Sequence, residues 1–226
     1  MRRQTVYPWH TGRLSRPVRL LVVSDLHNAE YRDLLPLLAD ADALLMPGDA
    51  VNRYWQRFRR AVEFIAEASR AVPTFVGIGN HEMHIARFEE FRTSVTQTDA
   101  TLLFNDYTRF GELVIGCWYR PENYGQRDML PAMEAEEGVK ILMCHRPEDY
   151  MHRLRQSRVD LVLAGHAHGG QVRLWGRGLY APGQGLLPKY TRGLIDGRMI
   201  VSAGASNNVP IPRIGNPCEV LWIELD

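Results

Sequence analysis

Metal-capable side chains recur in this sequence at the ends of short apolar runs. Val18–Val23 is followed by Ser24-Asp25-Leu26-His27, and Ala43–Met46 by Pro47-Gly48-Asp49. Thr74–Ile78 runs into Gly79-Asn80-His81-Glu82, Val139–Cys144 into His145-Arg146, and Val159–Ala164 into Gly165-His166-Ala167-His168-Gly169-Gly170. Carboxylates, imidazoles and a carboxamide without thiolate suit divalent ions such as Mn, Fe or Zn, and fit poorly with an all-oxygen Ca or Mg cage. The spacings Asp25-x-His27 and His166-x-His168 put alternate side chains of an extended segment on one side, where each pair can meet a common centre. Such a set is too large for one tetrahedral ion. It suits two ions sharing a bridging carboxylate, with positions left open for water and substrate. Two ions about 3.5–4 Å apart can activate a water and clamp the attacking and leaving oxygens of a displacement at phosphorus. Without a metal, so many unpaired polar groups at buried strand ends would be costly.

The elements behind these residues must hold them rigidly, and strand ends do so. In open α/β sheets, ligands gather outside the carboxyl ends of the strands. The first 80 residues read β-α-β-α-β: strands at Val18–Val23, Ala43–Met46 and Thr74–Ile78, with helices at Tyr31–Ala39 and Tyr54–Ala71. Phe58, Ala61, Val62, Ile65 and Ala68 share one face of the second helix. This pattern predicts a largely parallel sheet covered by helices. Residues 84–95 read as helix, and Thr101–Phe104, Thr108–Phe110 and Leu113–Trp118 as an antiparallel meander. A helix-like Glu148–Ser157 separates the two later buried strands, and Asp196-Gly197 signals a hairpin between Leu194-Ile195 and Met199–Val201. Val220–Leu225 is the final strand, and the Gly- and Pro-rich stretch 176–193 reads as a long ordered loop. A single α/β domain over residues 1–226 is the expectation.

Composition narrows the function. The 226 residues carry 27 Lys+Arg against 26 Asp+Glu, a net charge of +1, which excludes the basic footprint of a general nucleic-acid binder. Hydrophobic content of 45% with 23% charged residues excludes disorder as the main theme. Cys117, Cys144 and Cys218 lie far apart with no CxxC pair, which speaks for reduced thiols rather than a disulfide framework or structural zinc site. No apolar h-region follows the N-terminal arginines, and Val18–Val23 is far shorter than the roughly 20 residues of a membrane span. A cytoplasmic protein without a transmembrane segment is expected. Gly204-Ala205-Ser206 lacks the G-x-S-x-G pattern of a serine hydrolase. His10, His84 and His152 read as structural or surface residues, and the run Arg53, Arg57, Arg59 and Arg60 as the solvated face of a helix. Asn28, Asn52, Arg53 and Arg146 stand close to ligand positions in the chain and are candidate substrate contacts.

The ordered set Asp25-x-His27, Gly48-Asp49, Gly79-Asn80-His81-Glu82, His145 and Gly165-His166-x-His168 resembles the motif set of the calcineurin-like metallophosphoesterase superfamily. The resemblance implies that Asp25, His27 and His168 bind one metal, that Asn80, His145 and His166 bind a second, and that Asp49 bridges them. His81 would be the non-ligand histidine beside the scissile phosphate. The implied fold is a four-layer αββα sandwich of two mixed sheets, which agrees with the parallel first half and the more antiparallel second half read from the strand pattern. The implied cofactors are two divalent ions, manganese first and iron or zinc as alternatives. The implied reaction is hydrolysis of a small phosphate ester, a phosphodiester first, by in-line attack of a metal-bridging hydroxide. A phosphomonoesterase, a sugar-nucleotide pyrophosphate hydrolase and a catalytically silent scaffold are the alternatives. Gly169-Gly170-Gln171-Val172, Leu179-Tyr180-Ala181-Pro182 and Gly185-Leu186-Leu187-Pro188-Lys189-Tyr190 resemble a branch of small bacterial phosphodiesterases. Some members of that branch carry a membrane anchor; no such segment is read here, so membrane attachment is not carried over.

Overall fold

Two six-stranded mixed sheets form the centre of the computed structural model, which describes residues 2–54 and 56–226. In chain order the strands begin with β1 (Arg3–Trp9), β2 (Val18–Val22), β3 (Ala43–Met46), β4 (Thr74–Val76) and β5 (Thr101–Leu102). β6 (Asp106–Phe110), β7 (Leu113–Cys117), β8 (Val139–Met143) and β9 (Leu161–Ala164) follow. β10 (Arg173–Leu174) pairs with β11 (Arg177–Gly178), and β12 (Tyr180–Ala181) with β13 (Gly185–Leu186), as small separate hairpins. β14 (Gly193–Ile195), β15 (Met199–Val201) and β16 (Glu219–Leu225) complete the set. The sheet orders are β1-β16-β2-β3-β4-β5 and β14-β15-β9-β8-β7-β6.

Alternation along the strands builds the layers. Leu20, Val22, Leu45, Leu221 and Ile223 of the first sheet share one apolar cluster with Ile115, Ile141, Met143, Leu163 and Ile200 of the second. Their neighbours Leu21, Leu44, Met46 and Trp222 turn the other way, against Ala61, Phe64, Ile65 and Ala68 of helix α1 (Arg59–Ala71) and Phe91 and Val95 of a helix over Phe88–Thr96. Val114, Leu142, Val162 and Val201 likewise pack outward against Met133, Tyr150 and Leu154. A strand buried on both faces reads as a continuous apolar run, as these do. The four layers of the expected sandwich follow.

Several boundaries differ from expectation. The expected helix at Tyr31–Ala39 is only a tight 3₁₀ segment, Leu35–Asp40, with Pro36 in its first turn. The second helix starts at Arg59 and not Tyr54, Trp55 lying outside the described residues. The helix read at 84–95 begins only at Phe88 and runs to Thr96, and a separate single turn of helix, Asn80–Met83, precedes it. Glu148–Ser157 becomes a short turn of helix at Pro147–Asp149 continued by a wide π-type turn at Tyr150–Leu154. Of the expected meander, β6 and β7 do pair antiparallel, but β5 joins the edge of the first sheet parallel to β4; the rest of the second sheet, β7, β8, β9 and β15, runs parallel, with β14·β15 as its other antiparallel pair. The hairpin at Asp196-Gly197 is present, and β1 is a strand that sequence reasoning missed. No helix among the described residues is long and apolar enough to cross a membrane.

Candidate metal centre

The carboxyl ends of β2, β3, β4, β8 and β9 converge, as the sequence predicts, but the ligand pairs do not meet by strand alternation. Asp25, His27, Asp49, His166 and His168 all have left-handed backbone, with φ of 57°, 49°, 56°, 64° and 47°. Each such conformation costs a non-glycine residue about 1–2 kcal/mol. The strain is held by hydrogen bonds between the loops: Asp25 N–H to Gly48 O at 3.1 Å, His27 N–H to Asp49 O at 3.0 Å and Asn28 N–H to Ala50 O at 2.7 Å. Two glycines let the loops close. Gly48, at φ +134°, would place a Cβ 2.6 Å from Gly79 N, and a Cβ on Gly165 would collide with Ser24 Oγ and Asp25 Oδ2.

The side chains form three overlapping buried groups: Asp25, His27 and His168; His27, Asp49 and His81; and Asp49, His145 and His166, the candidate ligand atoms of each lying within 4.8 Å of one another. Asp25 Oδ1 is 3.8 Å from His27 Nε2 and 3.6 Å from His168 Nε2. Asp49 Oδ2 is 3.1 Å from His145 Nε2 and 3.9 Å from His27 Nε2, so it faces both ends of the cluster. Ligand atoms about 2.0–2.2 Å from a common cation stand at most about twice that distance apart, and these separations fit. Asn80 Oδ1, both ring nitrogens of His145 and His166 Nε2 are buried without a hydrogen-bond partner. Unpaired buried polar atoms call for an explanation, and a bound cation supplies one.

Second partners sort the histidines. His27 Nδ1 lies 3.1 Å from Val51 O and must donate to it, which leaves Nε2 as a lone pair aimed into the cluster. His81 is the reverse: its Nδ1 accepts the Arg53 N–H at 3.2 Å, so the neutral ring carries its proton on Nε2, 3.8 Å from Asp49 Oδ2. That suits a donor rather than a ligand. His168 Nδ1 faces the Arg213 guanidinium at 3.0 Å, so ligation through its Nε2 requires that contact to yield.

Burial and charge oppose one another throughout the cluster. Burial pushes the Asp49 carboxyl up, but the His145, His81 and His27 imidazoles beside it hold it well below the ordinary range. Asp25 is lowered in the same way by His168 and His145 against its burial. Burial takes His27 down to about 3, so it is neutral and free to ligate. Burial alone would also lower His145, but Asp49 and Asp25 raise it to about 9. His166 and His168 are lowered by burial, and so is His81.

The expected substrate contacts are placed differently. Asn28 Oδ1 is committed to Ala61 N–H at 3.0 Å and so caps α1 from a distant loop. The Arg53 guanidinium stacks on Tyr54 and donates to its hydroxyl at 2.9 Å. Arg146 lies 3.7 Å from Glu148 Oε1, which is itself 3.7 Å from His166 Nε2. Asn52 is buried and its Oδ1 accepts Tyr54 N–H. His84 is structural, its Nδ1 2.6 Å from Asn80 O, and Ser206 Oγ donates to Asp25 O instead of standing free as a nucleophile. Sequence reasoning missed Glu82 as a support: its carboxylate accepts the N–H groups of Asp49, Gly79 and Val51 at 2.9, 2.8 and 3.0 Å. Its place beside Asn80 and His81 was visible; its three partners were not. It also missed Asn216, whose Nδ2 donates to His168 O at 2.7 Å.

Comparison with known proteins agrees with this geometry. Residues 18–170 match the profile of the calcineurin-like phosphoesterase family. Phosphodiesterase YaeI of Escherichia coli is 30% identical over 177 residues, 70% of this chain and 63% of that protein. An uncharacterized metallophosphoesterase of Helicobacter pylori strain J99 is 22% identical over 73% of this chain and 48% of its own length. The chain thus spans about half to two-thirds of these relatives. The solved structure of the sulfate thiohydrolase SoxB from Thermus thermophilus superposes with a TM-score of 0.52 at 13% identity, covering 82% of this chain and 51% of that one, which speaks to the fold alone. With the family profile covering most of the chain and the motif's aspartates and histidines gathered at one buried cluster, the chain belongs to the calcineurin-like phosphoesterases.

Proposed function

We propose that the chain is a phosphodiesterase working with two divalent metal ions, manganese first among them. The observation that carries this reading is the Asp49 carboxylate, buried between two groups of imidazoles and carboxylates and within reach of both. Asp25, His27 and His168 would hold one ion, Asn80, His145 and His166 the other, and Asp49 would be shared. When bound, the ions supply hydroxide from water near neutral pH and neutralise charge on the phosphoryl oxygens. His81, with its proton on Nε2, donates to the oxygen on which charge develops as the ester bond breaks. Burial keeps His81 mostly neutral at pH 7, and its ring is oriented by the Arg53 N–H. The preference for diesters rests on the E. coli relative named as a phosphodiesterase.

The test is hydrolysis of bis(p-nitrophenyl) phosphate against p-nitrophenyl phosphate, with Mn, Fe and Zn supplied in turn. Diester hydrolysis stimulated by Mn, lost with chelator and in Asp49→Asn, is expected. A faster rate on the monoester would overturn the diester assignment, and full activity of Asp49→Asn would overturn the shared carboxylate.

A further inference from the structure

From the His27 edge of the cluster a groove of about 1100 Å³ opens, lined among others by Asn28, Arg57, Arg60, Arg87 and Asn208. Pockets that enclose drug-sized ligands span roughly 300–1000 Å³, so the groove is larger than a simple ester requires. Its charges are unequally matched. Arg59 is paired with Glu63 at 2.7 Å, and Arg87 with Glu90. Arg57 and Arg60 are exposed, and neither has a carboxylate oxygen within 4.0 Å among the described residues. Glu30, which Arg60 senses at longer range, is bound by Arg32 at 3.5 Å. Asn207 and Asn208 add polar side chains to the same lining. Asn28 fixes this geometry, since its bond to Ala61 N–H ties the first turn of α1 to the loop that carries His27.

We propose that the groove binds a phosphodiester bearing a second anionic group, a phosphate or carboxylate, held by Arg57 and Arg60 while the scissile phosphate lies at the His27 end. Guanidinium groups suit this task because their planar fork matches an oxyanion bidentately. The inference rests on the phosphodiesterase reading.

Two probes differing by one phosphate test it: thymidine 5′-(p-nitrophenyl phosphate) and its 3′-phosphorylated counterpart. The 3′-phosphorylated probe should show a KM at least about tenfold lower at low salt, a difference that shrinks as salt screens the exposed arginines. In Arg57→Gln/Arg60→Gln the two KM values should fall within about twofold, with hydrolysis of bis(p-nitrophenyl) phosphate unchanged. Arg57→Lys/Arg60→Lys should recover part of the difference. Equal KM values in the parent, or an equal loss on both probes in the double variant, would overturn the proposal. Calorimetric titration with thymidine 3′,5′-bisphosphate and thymidine 5′-phosphate reads the same preference without turnover. A protein that prefers the bisphosphate yet hydrolyses neither ester refutes the phosphodiesterase reading alone, whereas active protein without the preference refutes the groove assignment alone.

Discussion

Glu82→Gln would turn an amide NH₂ onto the Val51 N–H, or else onto the N–H groups of Asp49 and Gly79, inside a wholly buried site. The cheaper orientation keeps the two bonds at one oxygen and leaves one buried donor facing another, at a cost of about 1–3 kcal/mol. A pH-dependent contribution opposes this cost. Burial, then the Asp49 charge, push the Glu82 carboxyl from 4.5 to about 7 in the folded protein. Because the folded value is raised, the unfolded chain gives up its proton first as pH rises. The stability Glu82 contributes is therefore full below pH 4.5 and declines until about pH 7, by about 3 kcal/mol in all. Glutamine does not titrate. In metal-free protein the stability difference between variant and parent should move by about 2 kcal/mol in favour of glutamine between pH 5 and pH 7.5. Urea denaturation in chelator across that range measures the difference, and comparison within each pH cancels the titration of the histidines that both proteins share. A difference that stays constant with pH would refute the raised carboxyl. A difference that moved in favour of glutamate as pH rises would refute the sign of the shift.

Saturating the centre with Mn at about 100 times its dissociation constant should stabilise the fold by about 2.7 kcal/mol per site, a rise in Tm of about 5–10 °C for a chain of this size, read by calorimetry with and without chelator. Metal binding at pH 7.5 should release at least one proton per chain, because His145 is held protonated to about 9 and must lose that proton to ligate; titration in buffers of different ionisation enthalpy counts the protons, and the release should fall by about one between pH 7.5 and pH 10. His81→Ala should lower kcat by about 10²–10⁴ while metal content stays at the parental level, and loss of metal would show His81 to be a ligand. At Asp25 the left-handed backbone favours glycine, so in metal-free protein Asp25→Gly should be more stable than Asp25→Ala by about 1 kcal/mol, measured by denaturant unfolding.

The candidate ligands were legible in the sequence because each follows an apolar strand too short and too hydrophobic to be anything but buried. Strand ends such as Met46-Pro47-Gly48-Asp49 and Ala164-Gly165-His166 mark both the element and the residue it presents. The local backbone was not legible: Asp25-x-His27 looks extended, and only its bonds to Gly48 and Asp49, which lie on another loop, turn it left-handed. The parallel second sheet was within reach. More than 20 residues separate β7 from β8, and nearly as many separate β8 from β9, too long for hairpins and long enough for crossovers. β1 was missed because Arg3–Trp9 has weak alternation and a Pro, and its partner β16 lies at the other end of the chain. Glu82 and Asn216 support the site through partners some 30 to 50 residues away, a relation that no spacing rule encodes.

The left-handed residues bear on why this cluster exists at all. Five strained positions at about 1–2 kcal/mol each rival the roughly 5–15 kcal/mol net stability of a whole domain. Glycine would occupy such backbone with less steric strain, and Asp and His stand there instead. The buried, unpaired His145 and Asn80 atoms add a desolvation cost of the same sign. Strain at Asp25, His27, Asp49 and His168, unsatisfied polarity at Asn80 and His145, and both at His166 therefore gather at the positions that the motif set occupies, at the ends of strands buried almost throughout. A core able to carry that load, with ligand atoms spaced for cations, is what a centre preorganised for metal requires. The same free energy returns when the ions bind, which ties stability of the fold and loading of the site into one equilibrium.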